Sequence, residues 1–251
     1  MNAHPTSVVR GLPLGVMAAR IITLAPGVHR IPTSGDFINS YAFEDADGSV
    51  TLVDCGLKRA PRTIVAALAA IGRHPCDVQR IVLTHAHFDH AGGAAEMVQV
   101  TSADGVDVHA DDAGYVETGT RVPGDESTTS GRLFARAPWG GFAPAPVSAR
   151  LVDGQVLDVA GGLRIVHTPG HTPGHVSLLH EGTGTLITGD SIFNMNSRIS
   201  WPTKVFCTSF RQNVQTAAVL GELDYTVAAF THGPEIRDRA REQVRSFLAR
   251  G

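Results

Sequence analysis

Short runs of alternating or crowded apolar residues recur along the first quarter of the chain, at Ile21–Leu24, Val28–Ile31, Ile38–Glu44 and Val50–Val53. Each reads as a β-strand. The last two are separated by Asp45-Ala-Asp-Gly48, a turn that predicts a hairpin. The rhythm then lengthens. Pro61 suits the first turn of a helix, and Ile64, Val65, Leu68 and Ile71 supply its apolar stripe. Ile81–Leu83 is a short apolar strand, followed by a helix near Ala94–Val98, a strand at Val106–His109 and a helix at Asp111–Thr118. Residues 119–149 show no period, although they carry Phe134, Trp139 and Phe142. Strand patterning resumes at Gln155–Val159, Leu163–His167, His175–His180 and Thr185–Thr188. Residues 193–207 are again irregular, residues 208–221 look helical, Tyr225–Phe230 reads as a strand, and Glu235–Arg250 as a closing amphipathic helix. Two groups of strands, each with its helices, predict two sheets packed face to face with helices outside. Residues 1–19 are expected to form an arm ahead of a single domain spanning 20–251.

Composition narrows the picture. The chain has 251 residues, 43% hydrophobic and 18% charged, which suits one large α/β domain with its own core. A net charge of −3 lacks the basic footprint of a nucleic-acid partner. Three widely spaced cysteines, Cys55, Cys76 and Cys207, form no Cys-x-x-Cys pair and predict idle thiols in a reducing cytoplasm. No apolar run approaches the roughly 18 residues of a membrane span, and the segment Gly11–Ala19, with Pro13, makes a poor signal peptide. The expected partner is a small molecule.

The chemistry begins at Thr84-His-Ala-His-Phe-Asp-His90. His85, His87, Asp89 and His90 offer imidazole nitrogen and carboxylate oxygen, ligands that suit zinc and also iron or manganese. His85 and His87 are two apart and share one side of an extended segment, whereas Asp89 and His90 can face a second centre. Further donors stand at other strand ends. The stiff loop Thr168-Pro-Gly-His-Thr-Pro-Gly-His175 offers His171 or His175; Asp190 ends Leu186-Ile-Thr-Gly-Asp190; and His232 lies in Phe230-Thr-His-Gly-Pro234.

These motifs, together with Leu52-Val-Asp-Cys-Gly56, resemble the metallo-β-lactamase fold superfamily, in the family order and over nearly the whole chain from about residue 20. The resemblance implies an α+β fold, an αββα sandwich of two mixed sheets with a metal centre at one edge. It implies a dinuclear site: His85, His87 and His171 on one ion, Asp89, His90 and His232 on the other, and Asp190 between them. His175 and Asp54 become supporting residues, and Cys55 a packing residue.

Two zinc ions sharing a hydroxide would hydrolyse an ester, lactone or thioester, with Asp89 orienting the nucleophile and passing a proton to the leaving group. Several branches of the family are disfavoured. β-Lactamases of this fold lack the bridging aspartate. Glyoxalase II enzymes share the ligand set but carry a helical extension after the last ligand, and only 19 residues follow His232. Quorum-quenching lactonases place tyrosine where this chain has Phe193. Two alternatives remain: a mononuclear iron oxygenase like the persulfide dioxygenases, using His85, His171 and Asp190, and a non-catalytic metal binder. The apolar residues expected over the metals are Phe134, Trp139, Phe142, Phe193, Trp201 and Phe206, with residues 119–149 as a lid. Arg198 and Arg211 are candidates to meet an anionic substrate.

Overall fold

Alternation within each strand builds the sandwich. A computed structural model describes residues 20–127, 132 and 140–250. Seven strands form the first sheet in chain order: β1 (Ile22–Ala25), β2 (Val28–Pro32), β3 (Asn39–Glu44), β4 (Val50–Val53), β5 (Val78–Val82), β6 (Val106–His109) and β7 (Val147–Leu151). The second holds five strands: β8 (Val156–Leu157), β9 (Leu163–His167), β10 (Val176–His180), β11 (Thr185–Ile187) and β14 (Val227–Ala229), in the order β14-β11-β10-β9-β8. On β3, Tyr41 and Phe43 face the second sheet while Ala42 faces away; on β4 and β5, Val53 and Val82 point inward and Leu52 and Ile81 outward. Both faces are buried, because helices cover the outer one.

Tyr41, Phe43, Val53 and Val82 meet Ile165, Val176, Leu178 and Ile187 between the sheets. Outside the first sheet lie α1 (Pro61–Ala70), α2 (Ala94–Val100) and α3 (Ala110–Thr118), burying Ile64, Leu68, Met97 and Val116. Outside the second lie α4 (Phe210–Ala217) and α5 (Ala240–Leu248), the latter burying Val244 in one cluster with Leu220 and Phe230. The layers are therefore αββα. Among the described residues no helix is long and apolar enough to cross a membrane.

Three expectations need correction. The closing helix starts at Ala240 and not at Glu235, because Ile236 pairs with Ala228 as an isolated bridge and holds the preceding residues extended. The aperiodic stretch 119–149 ends inside a strand, β7, whose first four residues alternate between half-buried and exposed and so lack a strong apolar signal. Within 193–207, a small separate hairpin forms from β12 (Phe193–Met195) and β13 (Arg198–Ser200). The arm 1–19 lies outside the described residues.

Parallel pairing concentrates the chemistry at one edge. β4 and β5 run parallel, with Val53 opposite Val82, so the residues that follow them, Asp54 and His85, emerge together. β11 and β14 run parallel, with Ile187 opposite Ala229, and deliver Asp190 and His232 side by side. The antiparallel pair β9 and β10 brings its connecting loop, with His171, to the same edge.

Candidate metal centre

Imidazoles and carboxylates from five loops meet at this edge. His85 Nε2 lies 3.1 Å from His87 Nδ1, which lies 3.0 Å from His171 Nε2. His90 Nε2 lies 3.3 Å from His232 Nε2, with Asp89 Oδ2 at 3.8 Å and 3.5 Å from those two nitrogens. Asp190 stands between the groups: Oδ2 is 3.1 Å from His171 Nε2 and 3.3 Å from His232 Nε2, and Oδ1 is 3.4 Å from His90 Nε2. Donors about 2.0–2.1 Å from a tetrahedral ion sit about 3.3–3.4 Å from one another. The donor set therefore fits two adjacent ions, in type and in spacing. Ring orientation agrees. His87 and His171 meet at 80°, His85 and His171 at 84°, so lone pairs converge.

The outer nitrogens are held by fixed partners. Asp54 adopts φ +59°, a conformation that aspartate tolerates. Its carboxylate accepts from the Thr84 N–H and Thr84 Oγ1, each at 2.8 Å, and from His90 Nδ1 at 2.8 Å. Since Thr84 Oγ1 donates to Asp54, it accepts from His85 Nδ1 at 3.0 Å. One carboxylate thus fixes the tautomer of a histidine in each group, the usual task of a partner behind a ligand. His232 Nδ1 donates to the Phe37 carbonyl at 2.6 Å. Thr84, given no role by the sequence reading, is the relay. Its signal, a hydroxyl directly before His85, is too common to single out.

His175 is not among the converging nitrogens. Its Nε2 accepts from the Asp190 N–H at 2.7 Å and its Nδ1 donates to the Thr168 carbonyl at 3.0 Å, so it positions the aspartate backbone. Gly189, at φ +53°, is required here because a Cβ would run into that imidazole. Asp112 is the residue that sequence reasoning missed. It is buried on α3, and its carboxylate accepts from the Ala86 N–H (2.9 Å), Thr172 Oγ1 (2.6 Å) and the Gly174 N–H (2.7 Å), clamping the first histidine turn to the His171 loop. Nothing local marks it, because its partners lie 26 to 62 residues away.

Electrostatics divides the site. Burial, reinforced by neighbouring imidazoles, holds His85 and His87 well below the ordinary histidine range, so their lone pairs are available. At His90 burial acts the same way but is outweighed by Asp190, Asp89 and Asp54, and its pKa rises; at His232 Asp190 likewise outweighs burial. Burial would raise Asp190, yet His232, His90, His171 and His85 together pull it well down. Cys55 is fully buried and burial raises its thiol, consistent with packing.

His175 supplies a pH test. Burial, then His171, lowers its pKa to about 3. Below the ordinary histidine value of about 6.5 the unfolded chain binds a proton that the folded chain refuses, so stability falls as pH drops from there toward 3. His175→Gln keeps an acceptor for Asp190 but has no titrating nitrogen. In chemical denaturation of metal-free protein, the difference between wild type and variant is expected to move in favour of the variant as pH falls from about 7 to about 4. A difference that stays constant contradicts this.

A cleft open to solvent lies against His87, Asp89, His171, Asp190 and His232. Its lining also includes Phe88, Arg121, Val122, Gly124, Gly140, Phe193, Thr203, Val205 and Phe206. Phe193 packs 4.4 Å from the His232 ring. Trp201 and Phe142 do not line the cleft. Trp201 packs on Phe210 and Phe247, and Phe142 on the core under the first sheet. Phe134 and Trp139 lie outside the described residues, as does the middle of the expected lid. Arg198 and Arg211 are exposed and away from the cleft. A further trio, His109, Asp111 and His167, has rings stacked 3.9 Å apart at 14°, so its lone pairs run side by side.

The profile of the metallo-beta-lactamase superfamily matches residues 33–232. The chain belongs to this superfamily. It is similar to the probable metallo-hydrolase YybB of Bacillus subtilis, 25% identical over 199 residues that cover 79% of this chain and 82% of the relative. It is also similar to the hydroxyacylglutathione hydrolase of Rhodopseudomonas palustris, 28% identical over 62% of this chain and 48% of that protein. Among solved structures, a metallo-beta-lactamase family protein from Thermus thermophilus superposes with a TM-score of 0.70 at 25% identity, covering 91% of this chain and 80% of that one. The chain is a hydrolase of the metallo-β-lactamase fold.

Proposed function

We propose that this chain is a dinuclear zinc hydrolase of small esters, thioesters or lactones. The observation that carries the reading is the pair of three-donor groups sharing Asp190. His85, His87 and His171 would hold one ion, Asp89, His90 and His232 the other, and Asp190 both. When bound, the pair would lower the pKa of a shared water and polarise the substrate carbonyl. The residues do the rest. The cleft seats the acyl compound, and its apolar wall limits water around the carbonyl. Asp89, whose side chain is 20% exposed, reaches His232 and His90 with Oδ2 and also borders the cleft. Its carboxylate orients the attacking water, accepts its proton, and returns a proton to the leaving oxygen or sulfur as the acyl bond breaks.

A mononuclear iron oxygenase would use His85, His171 and Asp190 and leave Asp89, His90 and His232 without a task. Their convergence favours the dinuclear reading. The named thioester-type relative supports it, although the chain spans only about half of that protein. The test is a screen of the zinc-loaded protein against matched esters, thioesters and lactones. Turnover of at least one class is expected, abolished by a chelator and restored by zinc. Failure on all three contradicts the proposal.

A further inference from the structure

The turn 230–234, which carries His232, is held by bonds reaching in from three other segments. From β3, the Asn39 N–H donates to the Thr231 carbonyl at 2.9 Å, and the Tyr41 hydroxyl donates to the Phe230 carbonyl at 2.6 Å. From β12, the Asn194 N–H donates to the His232 carbonyl at 2.9 Å and Asn194 Nδ2 to the Pro234 carbonyl at 2.8 Å. From the loop between β2 and β3, the Asp36 carbonyl accepts from the Gly233 N–H at 2.9 Å, and the Phe37 carbonyl from His232 Nδ1 at 2.6 Å. One side chain closes this frame. Asn39 Nδ2 donates to the Phe230 carbonyl at 2.9 Å and to the Gly233 carbonyl at 2.8 Å, so a single amide brackets His232 on both sides along the chain. Asn39 is fully buried and lies 191 and 194 residues from these two partners. Arg30 fixes which way the amide points. Its buried Nη1 donates to Asn39 Oδ1 at 2.9 Å and to Asp36 Oδ1 at 2.8 Å, which leaves both Nδ2 hydrogens for the turn.

From this frame we infer that Asn39 is the positioning residue of His232, its amide holding that imidazole where Asp89, His90 and Asp190 can share an ion with it. The inference rests on the dinuclear reading above and deepens it. A buried amide is costly unless its hydrogens are bonded, and here both are spent on the carbonyls flanking one candidate ligand. The tolerance is narrow. His232 Nε2 lies 3.3 Å from Asp190 Oδ2 and 3.5 Å from Asp89 Oδ2, and metal–donor distances allow only about 0.2 Å of error. The neighbouring donors have holders of their own: Asp54 for His90, Thr84 for His85, and the His175 ring for the Asp190 N–H. Loss of the Asn39 amide therefore acts on one histidine and spares the group formed by His85, His87 and His171.

The test titrates zinc into metal-free full-length protein against a competing chelator and follows each equivalent separately. Asn39→Ala keeps the backbone bond to Thr231 and removes both amide donors. Asn39→Asp keeps the shape and puts an oxygen where the donors were. In both variants the second equivalent is expected to bind about 10- to 100-fold more weakly than in wild type, with the first unchanged. Leu68→Ala, which opens a cavity beneath α1, is the destabilised control and is expected to bind both equivalents like wild type. In metal-free protein, nuclear magnetic resonance reads the contact without any ion. The His232 Nδ1 proton, held by the Phe37 carbonyl, is expected as a resolved signal in wild type and lost to solvent exchange in Asn39→Ala. Wild-type affinity for both equivalents in the Asn39 variants, or equal weakening of both, overturns the inference. A wild type that takes up a single metal overturns the dinuclear reading instead. The His232 proton then decides the role of Asn39, since its persistence in Asn39→Ala overturns the inference there too.

Discussion

Replacing Asp190 with alanine is expected to lower turnover by about 10³-fold and to strip metal from the protein, the loss of several kcal/mol that a charge shared by two cations supplies. The reason lies in its contacts. Its two oxygens approach His171, His232 and His90 within 3.1 to 3.4 Å, and without it these imidazoles face one another with no central negative charge. Asp190→Asn separates charge from shape. It retains an oxygen for Thr231 Oγ1, which donates to Asp190 Oδ1 at 2.7 Å, and is expected to fold like wild type while losing metal. Elemental analysis and kcat on the same preparations check both variants. Full metal content in Asp190→Asn would remove the aspartate from the centre.

Asp89→Asn carries the second large effect. With saturating zinc, kcat is expected to fall by about 10²–10⁴-fold, the range for loss of a positioned proton carrier, with KM changed far less. The melting temperature should move little, because Asp89 is partly exposed and borders the cleft instead of the core. The pair of readouts matters: unchanged turnover would give proton transfer to another group, and a large fall in melting temperature would make Asp89 structural.

Much of this architecture is legible in the sequence because period and position agree. The β3–β4 hairpin follows from Asp45–Gly48, α1 from Pro61 and its stripe, and the two-sheet sandwich from strand groups separated by helices. The seven donors can be named because strand ends that begin in apolar runs end in His or Asp, and the structure brings all seven to one edge. Interactions with no local signature escape such a reading. Asp112 looks like any acidic residue in the first turn of a helix, where the dipole favours it. The choice between His171 and His175 turns on the family resemblance, since both follow a Pro-Gly pair; only the bond from the Asp190 N–H to His175 Nε2 shows what His175 does. The cleft is less legible still. Aromatic residues in irregular segments mark burial without saying against what, so they point to Trp201 and Phe142 over the metals, and both pack elsewhere.

On the proposed reading, Asp190 and six further donors hold a pair of zinc ions. That reading is met most directly by elemental analysis of protein purified without added metal. About two equivalents of zinc per chain is the predicted result, with His90→Ala expected to retain about one. A single equivalent of iron per chain, unaffected by His90→Ala, would contradict the account.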